Sequence, residues 1–257
     1  MTRDTGLLRD KVIMITGASS GIGAAAGHVF ATEGATVVLM ARRGERLREL
    51  ADRIVASGGR AMATVGDVTQ EGEVERVVTE AVSRFGRLDG AFNNAGYAAS
   101  GSLLHETDGA AFEQIMAVNV RGVWNCMRHQ IPAMLRSDRP AAIVNTSSVA
   151  GVLATGTSAA YVAAKHAVLG LTRAAAAEYG GRGIRVNALV VGSTRTEMMD
   201  QVLKETPALE EQFVGRSMQR RMAEPEEIAR NAAWLCSDQA SFVTGVAMPV
   251  DGGWTAG

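Results

Sequence analysis

Along the chain, short β-branched and apolar runs alternate with longer Ala-rich stretches whose apolar positions recur at helical spacing. The runs predict strands near Val12–Thr16, Thr36–Met40, Ala61–Val65, Leu88–Phe92, Ala141–Thr146, Ile184–Leu189 and Val246–Pro249. Amphipathic helices fill the intervals, and this βα order implies a doubly wound α/β architecture: a parallel sheet with helices on both faces. The stretch around Phe112–Leu135 is apolar beyond one stripe, with Ile115, Met116, Val118, Val123, Trp124 and Met127, and so is the helix containing Tyr161. Helices of that kind are buried on two sides. Only five prolines punctuate the 257 residues, with no Pro/Ser-rich linker, repeat or low-complexity tract, so a single domain over 1–257 is expected. The least regular region, Thr194–Pro225, reads as a mobile insertion placed to cover a substrate.

Composition narrows the class. The apolar fraction is 47%, charged residues make up 21%, and the net charge is -1. That is the balance of a globular domain, with no basic excess for nucleic acid and no charge block for a membrane surface. The apolar runs are strand-sized, and none is long enough to cross a bilayer. A first strand beginning by Lys11 leaves no room for a signal peptide, and Cys126 and Cys236 read as buried free thiols, so a reducing cytoplasm is expected. His28, His105, His129 and His166 do not cluster with cysteine or carboxylate, and no metal is expected.

Candidate chemistry begins after the first strand, at Thr16-Gly17-Ala18-Ser19-Ser20-Gly21-Ile22-Gly23. Glycines at GxxxGxG spacing let the backbone turn sharply and approach a pyrophosphate closely, and the following helix start offers free N–H groups. A tight βα loop would use glycine too, but its place after strand one favours a dinucleotide. An acidic residue at the end of strand two usually holds the adenosine ribose of NAD. Here that region reads Val37-Val38-Leu39-Met40-Ala41-Arg42-Arg43, without a carboxylate. A guanidinium can pair with a 2′-phosphate, so NADP(H) is expected, with Arg42 the principal reader. Arg43 is its second partner or faces solvent on the next helix. The alternative, arginines that only solvate a helix start, sets cations where the helix dipole disfavours them.

Tyr161 and Lys165 are four apart in an Ala-rich stretch and therefore share a helix face. With three tyrosines and three lysines in the chain, about 0.04 such pairs are expected by chance. A lysine cation one turn away favours the phenolate of a tyrosine that otherwise titrates near 10. Lowering that pKa by about three units takes roughly 4 kcal/mol. Ser147-Ser148 ends the fifth strand, where open α/β sheets place ligands, and a hydroxyl there can bond the substrate oxygen that Tyr161 protonates. Taken alone, a serine pair at a strand end is more often a loop or cap feature, and it gains weight here from its place at the carboxyl end of a strand.

TGASSGIG, Asn93-Asn94-Ala95-Gly96, Asn119, Ser148 and Tyr161-x-x-x-Lys165 stand in the order of the short-chain dehydrogenase/reductase superfamily, which the chain resembles over essentially its whole length. The resemblance implies a Rossmann-like domain with a seven-stranded sheet. It implies that Tyr161 is the general acid or base, that Lys165 binds the nicotinamide ribose and lowers the Tyr161 pKa, that Ser148 positions the substrate oxygen, and that Asn119 holds a water continuing the proton path. It further implies adenine contacts from Asp67 and Val68, sheet support beside the cofactor from Asn93, Asn94, Ala95 and Gly96, and a carboxamide contact from Thr196. The cofactor set expected on this basis is Gly17, Ser19, Ser20, Gly21, Ile22, Gly23, Arg42, Arg43, Asp67, Val68, Asn94, Ala95, Gly96, Tyr161, Lys165, Gly192, Thr194 and Thr196. One departure is Val191-Gly192 where the family carries Pro-Gly, which predicts a looser loop after the sixth strand. The family's helix contacts imply a homotetramer or at least a dimer.

These readings combine in an NADP(H)-dependent carbonyl reductase, reversible as an alcohol dehydrogenase, with a small-molecule substrate. An NAD-dependent enzyme that tolerates Arg42 and a non-catalytic NADP sensor are the alternatives. Val149–Ser158 is small and uncharged, which favours a neutral, partly apolar substrate. Met198, Met199 and Leu203 line a substrate lid or simply pack.

Overall fold

The computed structural model describes residues 6–98, 103–155, 157–205 and 207–257. Gly156, within the small uncharged stretch, and Thr206, within the expected insertion, lie outside the described residues. The centre is a sheet of seven strands: β1 (Val12–Thr16), β2 (Thr36–Ala41), β3 (Arg60–Val65), β4 (Gly90–Asn93), β5 (Ala141–Ser148), β6 (Ile184–Val191) and β7 (Ala247–Val250). Their order is β3-β2-β1-β4-β5-β6-β7, every pair parallel. Observed boundaries move by a residue or two from the expected ones: β4 starts at Gly90 rather than Leu88, and β5 and β6 run on to Ser148 and Val191.

Nine α-helices among the described residues surround the sheet: α1 (Gly21–Thr32), α2 (Gly44–Ala56), α3 (Glu71–Phe85), α4 (Gly109–Met116), α5 (Gly122–Leu135), α6 (Ala159–Tyr179), α7 (Glu197–Glu205), α8 (Leu209–Arg216) and α9 (Pro225–Cys236). Ile13, Ile15, Val37 and Leu39 point into a core shared with Phe30 of α1, Leu50 of α2 and Ile228 of α9. Their neighbours Val12, Met14, Val38 and Met40 point the other way, into a core with Val77 of α3, Val123 of α5 and Val168 of α6. Both faces are apolar, so the inner strands carry continuous runs rather than alternation. At the margins the pattern relaxes: β3 alternates, and β7 carries Pro249, which an edge strand tolerates.

The single long helix expected over Phe112–Leu135 is three pieces. A π-turn at Ala117–Arg121 separates α4 from α5. Asn119 explains it: its side-chain amide donates to the Ile115 carbonyl at 2.9 Å, displacing a ladder bond. The region expected to be least regular is half helical, in α7 and α8, and its ends are pinned. Thr194 bridges to Ala223, and the Arg216 Nη1 donates to the Thr155 carbonyl at 2.8 Å.

The strand order reverses beside β1, whose neighbours are β2 on one side and β4 on the other. In such sheets the crevice at the carboxyl ends by that switch point is where ligands bind.

Candidate active site

The turn after β1 is built to bring backbone close to something else. Gly17 and Gly21 sit at φ +67° and +51°, where side chains are disfavoured. A Cβ on Gly23 would lie 2.2 Å from the Gly17 carbonyl oxygen, so no other residue fits there. Ser20 begins α1 without a side-chain cap, and the first turn holds no acidic residue. The first N–H groups of α1 therefore point outward with the positive end of the dipole, the arrangement that accepts a phosphate.

The loop after β4 clasps this cradle. The Thr16 hydroxyl accepts the N–H groups of Asn94 and Ala95, both at 3.1 Å, and Asn94 Nδ2 reaches back to the Thr16 carbonyl at 3.3 Å. Thr16 was absent from the expected site set, although it directly precedes Gly17 and is buried at the strand end. Asn93 faces inward. It joins Gln130 and Asn145 in a buried amide network that continues from Asn145 to Thr172.

Beyond β2 the two arginines are placed differently from each other. Arg42, expected as the principal reader, is 74% exposed, with its nearest carboxylate, Asp67, at 4.0 Å. Arg43 turns toward the cradle, donating from Nε to Ser19 Oγ at 3.0 Å and from Nη2 to Ser20 Oγ at 2.5 Å. The cause is local backbone geometry: Arg43 caps α2 at φ -86°, ψ 86°, outside the helical region, which swings its side chain back over the glycine loop. Arg46, one turn on, faces the same way, and both it and Arg43 pair with Glu197 at the head of α7. Sequence reasoning missed Arg46 and Glu197; the i, i+3 spacing from Arg43 was the signal for Arg46.

The other expected cofactor residues take distinct positions. Asp67 Oδ1 accepts from the Thr69 N–H and hydroxyl, while Val68 is buried against Gly122 and its carbonyl accepts from Asn125. Thr194 is buried, its hydroxyl given to the Gly192 carbonyl at 3.1 Å. Thr196 accepts the Met199 N–H, capping α7, and its methyl group packs toward Gly21. The loop expected to be loose is tied at its start. Val191 keeps the N–H that proline would lack, β6 continues through it, and Gly192 N–H donates to the Val250 carbonyl at 3.1 Å.

The catalytic-type residues come together on β5 and α6. Ser158 caps α6 by accepting the Tyr161 N–H at 3.2 Å, which starts the helix so that Tyr161 and Lys165 face the end of β5. Two bonds lock strand to helix: Ser147 Oγ donates to the Lys165 carbonyl at 2.9 Å, and Lys165 Nζ donates to the Thr146 carbonyl at 3.0 Å. Ser148 Oγ accepts the Ala150 N–H at 3.2 Å, and the Ser148 hydroxyl acts on the Tyr161 phenol in the direction that favours its ionised form. Lys165 Nζ lies 5.5 Å from the centre of the Tyr161 ring.

Electrostatics in the chain itself differ from the spacing argument. Burial pushes the Tyr161 phenol up to about 12, against which the Ser148 hydrogen bond works, and it pushes Lys165 down to about 8. Burial penalises the charged form of both groups. Asn119 is buried, its side chain exchanging bonds with the Tyr97 backbone and donating to the Ile115 carbonyl. Among the described residues no three His, Cys, Asp or Glu side chains gather as a metal site, and no helix is long and apolar enough to cross a membrane. Cys126 and Cys236 are both buried and unpaired.

A family model described as "Enoyl-(Acyl carrier protein) reductase" matches residues 17–255. The A-factor type gamma-butyrolactone 1'-reductase (1S-forming) of Streptomyces virginiae is 53% identical over 255 residues, covering 99% of both proteins. The chain belongs to the short-chain dehydrogenase/reductase superfamily. It is also similar to the 2,5-dichloro-2,5-cyclohexadiene-1,4-diol dehydrogenase of Sphingobium indicum, 44% identical over 249 residues, with 97% of this chain and 98% of that one covered. Among solved structures, the carveol dehydrogenase of Mycobacterium avium in complex with NAD superposes with a TM-score of 0.94 at 31% identity, covering 98% of this chain and 100% of that one. These short-chain dehydrogenase/reductase relatives are oxidoreductases of alcohols and ketones, which makes this chain an oxidoreductase with a Rossmann-like fold.

Proposed function

We propose that the protein is an NADP(H)-dependent carbonyl reductase, reversible as a secondary-alcohol dehydrogenase, with Tyr161 as its general acid and base. The observation that carries this reading is the junction of Ser148, Tyr161 and buried Lys165 beside a cradle that only glycine can form. The residues fit a dinucleotide: the free N–H groups of α1 would hold the pyrophosphate, Arg43 with Arg42 would hold a 2′-phosphate, and Asn94–Gly96 would flank the nicotinamide side. When bound, the nicotinamide supplies or accepts the hydride. Ser148 holds the substrate oxygen and Tyr161 gives it a proton in the reductive direction, or removes one in the oxidative direction. Lys165, as a cation, lowers the cost of the phenolate.

The substrate class to try first is a ketone borne on a γ-butyrolactone, by analogy with the 53% identical reductase. Val152 and Leu153, just beyond Ser148, are partly exposed and apolar, which suits a neutral ligand. We place the protein in the cytoplasm as a homotetramer joined through α4, α5 and α6, on which Phe112 and Trp124 are exposed. A second reading, NAD as cofactor, is favoured by the NAD complex of the carveol dehydrogenase. Steady-state kinetics with NADPH and NADH on a ketone panel including such lactones tests the proposal. NADPH is expected to win by about ten- to a hundredfold in kcat/KM, the worth of a charge-assisted arginine contact. Arg43→Ala should erase most of that margin; equal efficiency with both cofactors in the wild type would transfer the assignment to NAD.

A further inference from the structure

The arginines beside the glycine cradle already have an anionic partner. Arg43 Nη1 lies 2.9 Å from Glu197 Oε2, and Arg46 Nη1 contacts Glu197 Oε1, so one carboxylate bridges both guanidinium groups. Glu197 is the first residue of α7, and the Cγ2 of Thr196 just before it would stand 3.0 Å from a Cβ on Gly21. The head of α7 thus rests on the phosphate loop, beside an open cavity of about 520 Å³ that Gly21, Thr196 and Glu197 help to line. The same two arginines hold the Glu197 carboxyl below its ordinary range, so it is charged at neutral pH.

Arg43 therefore makes three contacts, with Ser19, Ser20 and Glu197, of which the serine contacts lie in the loop and Glu197 in the lid. A 2′-phosphate arriving at Arg43 carries nearly two negative charges and three acceptor oxygens. It cannot share the guanidinium edge with a fixed carboxylate without repulsion, so one of the two must leave. We infer that Glu197 is an internal rival of the 2′-phosphate, occupying Arg43 and Arg46 from the head of α7 and releasing that helix from the cradle when a 2′-phosphorylated cofactor displaces it. This rests on the NADP(H) reading of the cradle. Glu197 then acts as a specificity-determining residue that moderates the preference for NADP(H) and couples the type of cofactor to the freedom of the lid.

The test needs no catalysis. The full-length protein and Glu197→Gln are titrated calorimetrically with adenosine 2′,5′-bisphosphate and with ADP, which lacks the 2′-phosphate. Glu197→Gln keeps the side-chain shape and an acceptor but removes the charge. The ion pairs are half exposed, so relief of the competition should tighten the bisphosphate about three- to tenfold and leave ADP within about twofold. Hydrogen exchange in the wild type should rise over residues 197–205 with the bisphosphate and not with ADP. If the wild type prefers the bisphosphate and Glu197→Gln does not widen that preference, or tightens both nucleotides alike, the rivalry is overturned while the NADP(H) reading stands. If the wild type does not distinguish them but Glu197→Gln does, the rivalry holds and the cofactor preference falls. If neither protein distinguishes them, both fall.

Discussion

Replacing Lys165 by methionine removes a buried cation and keeps most of the stem's volume, so it isolates the electrostatic part of that residue's role. The Nζ stands 5.5 Å from the centre of the Tyr161 ring. At an effective dielectric near 20, a unit charge at that distance is worth about 3 kcal/mol, or about two pKa units on the phenol. Burial, opposed in part by Ser148, places Tyr161 near 12, so a nearby cation should favour its phenolate, and that cation is itself present only below about pH 8. The two groups therefore lose their first proton as a pair, and the alkaline rise of alcohol oxidation reports the pair rather than either residue. In Lys165→Met the rise should move up by about two pH units, giving about a hundredfold slower oxidation at any pH below both limbs. The measurement is kcat/KM for oxidation across pH at saturating cofactor, joined to ultraviolet titration of the phenolate in a background with Tyr97 and Tyr179 changed to phenylalanine. A limb displaced by less than about half a unit would refute the reasoning, because the distance would then carry no electrostatic coupling.

Three further outcomes are expected. Tyr161→Phe should lower kcat by at least about 10²–10⁴-fold while nucleotide affinity by calorimetry stays within a few-fold, since only the proton donor is lost. Gly23→Ala should abolish nucleotide binding or folding, because its Cβ would meet the Gly17 carbonyl oxygen at 2.2 Å; retained affinity with an unchanged melting temperature would contradict the geometry. Stability should depend on pH through Lys165, which is 3% exposed and titrates near 8 in the fold against its ordinary 10.5. Between those values the unfolded chain binds the extra proton, so stability rises with pH through that window, by up to about 3 kcal/mol. Above pH 10 Tyr161, holding its proton to about 12, works in the opposite direction. Urea unfolding of wild type and Lys165→Met at several pH values should show that rise only in the wild type.

The inner strands were legible because burial on both faces imposes continuous apolar runs such as Val12–Thr16 and Thr36–Ala41. The shared face of Tyr161 and Lys165 was legible for a related reason: four-residue spacing places both on one side of a helix whatever surrounds them. Three things were not. The π-turn at Asn119 hides inside an uninterrupted helical pattern, because the side-chain bond that creates it leaves no mark in hydrophobic period. Which of Arg42 and Arg43 rests on the glycine loop turns on the backbone dihedrals at one cap residue, which adjacent identical side chains cannot reveal. The upward shift of Tyr161 depends on how completely the fold buries the phenol, and a spacing argument sees the neighbouring charge but not the lost water.

The reciprocal bonds that tie Ser147 to Lys165 and Lys165 to Thr146 join a central strand to a helix that both belong to the rigid body of the domain. The segments carrying Met198, Met199 and Leu203 join it through side chains, Glu197 to Arg43 and Arg46 and Arg216 to Thr155 among them. On the proposed function, chemistry and selectivity are thereby carried by separate parts of the chain. Exchanging residues 197–216 for those of a relative should alter which ketones are accepted while the proton-transfer apparatus passes on intact, so a lineage can try new metabolites without reinventing its reaction.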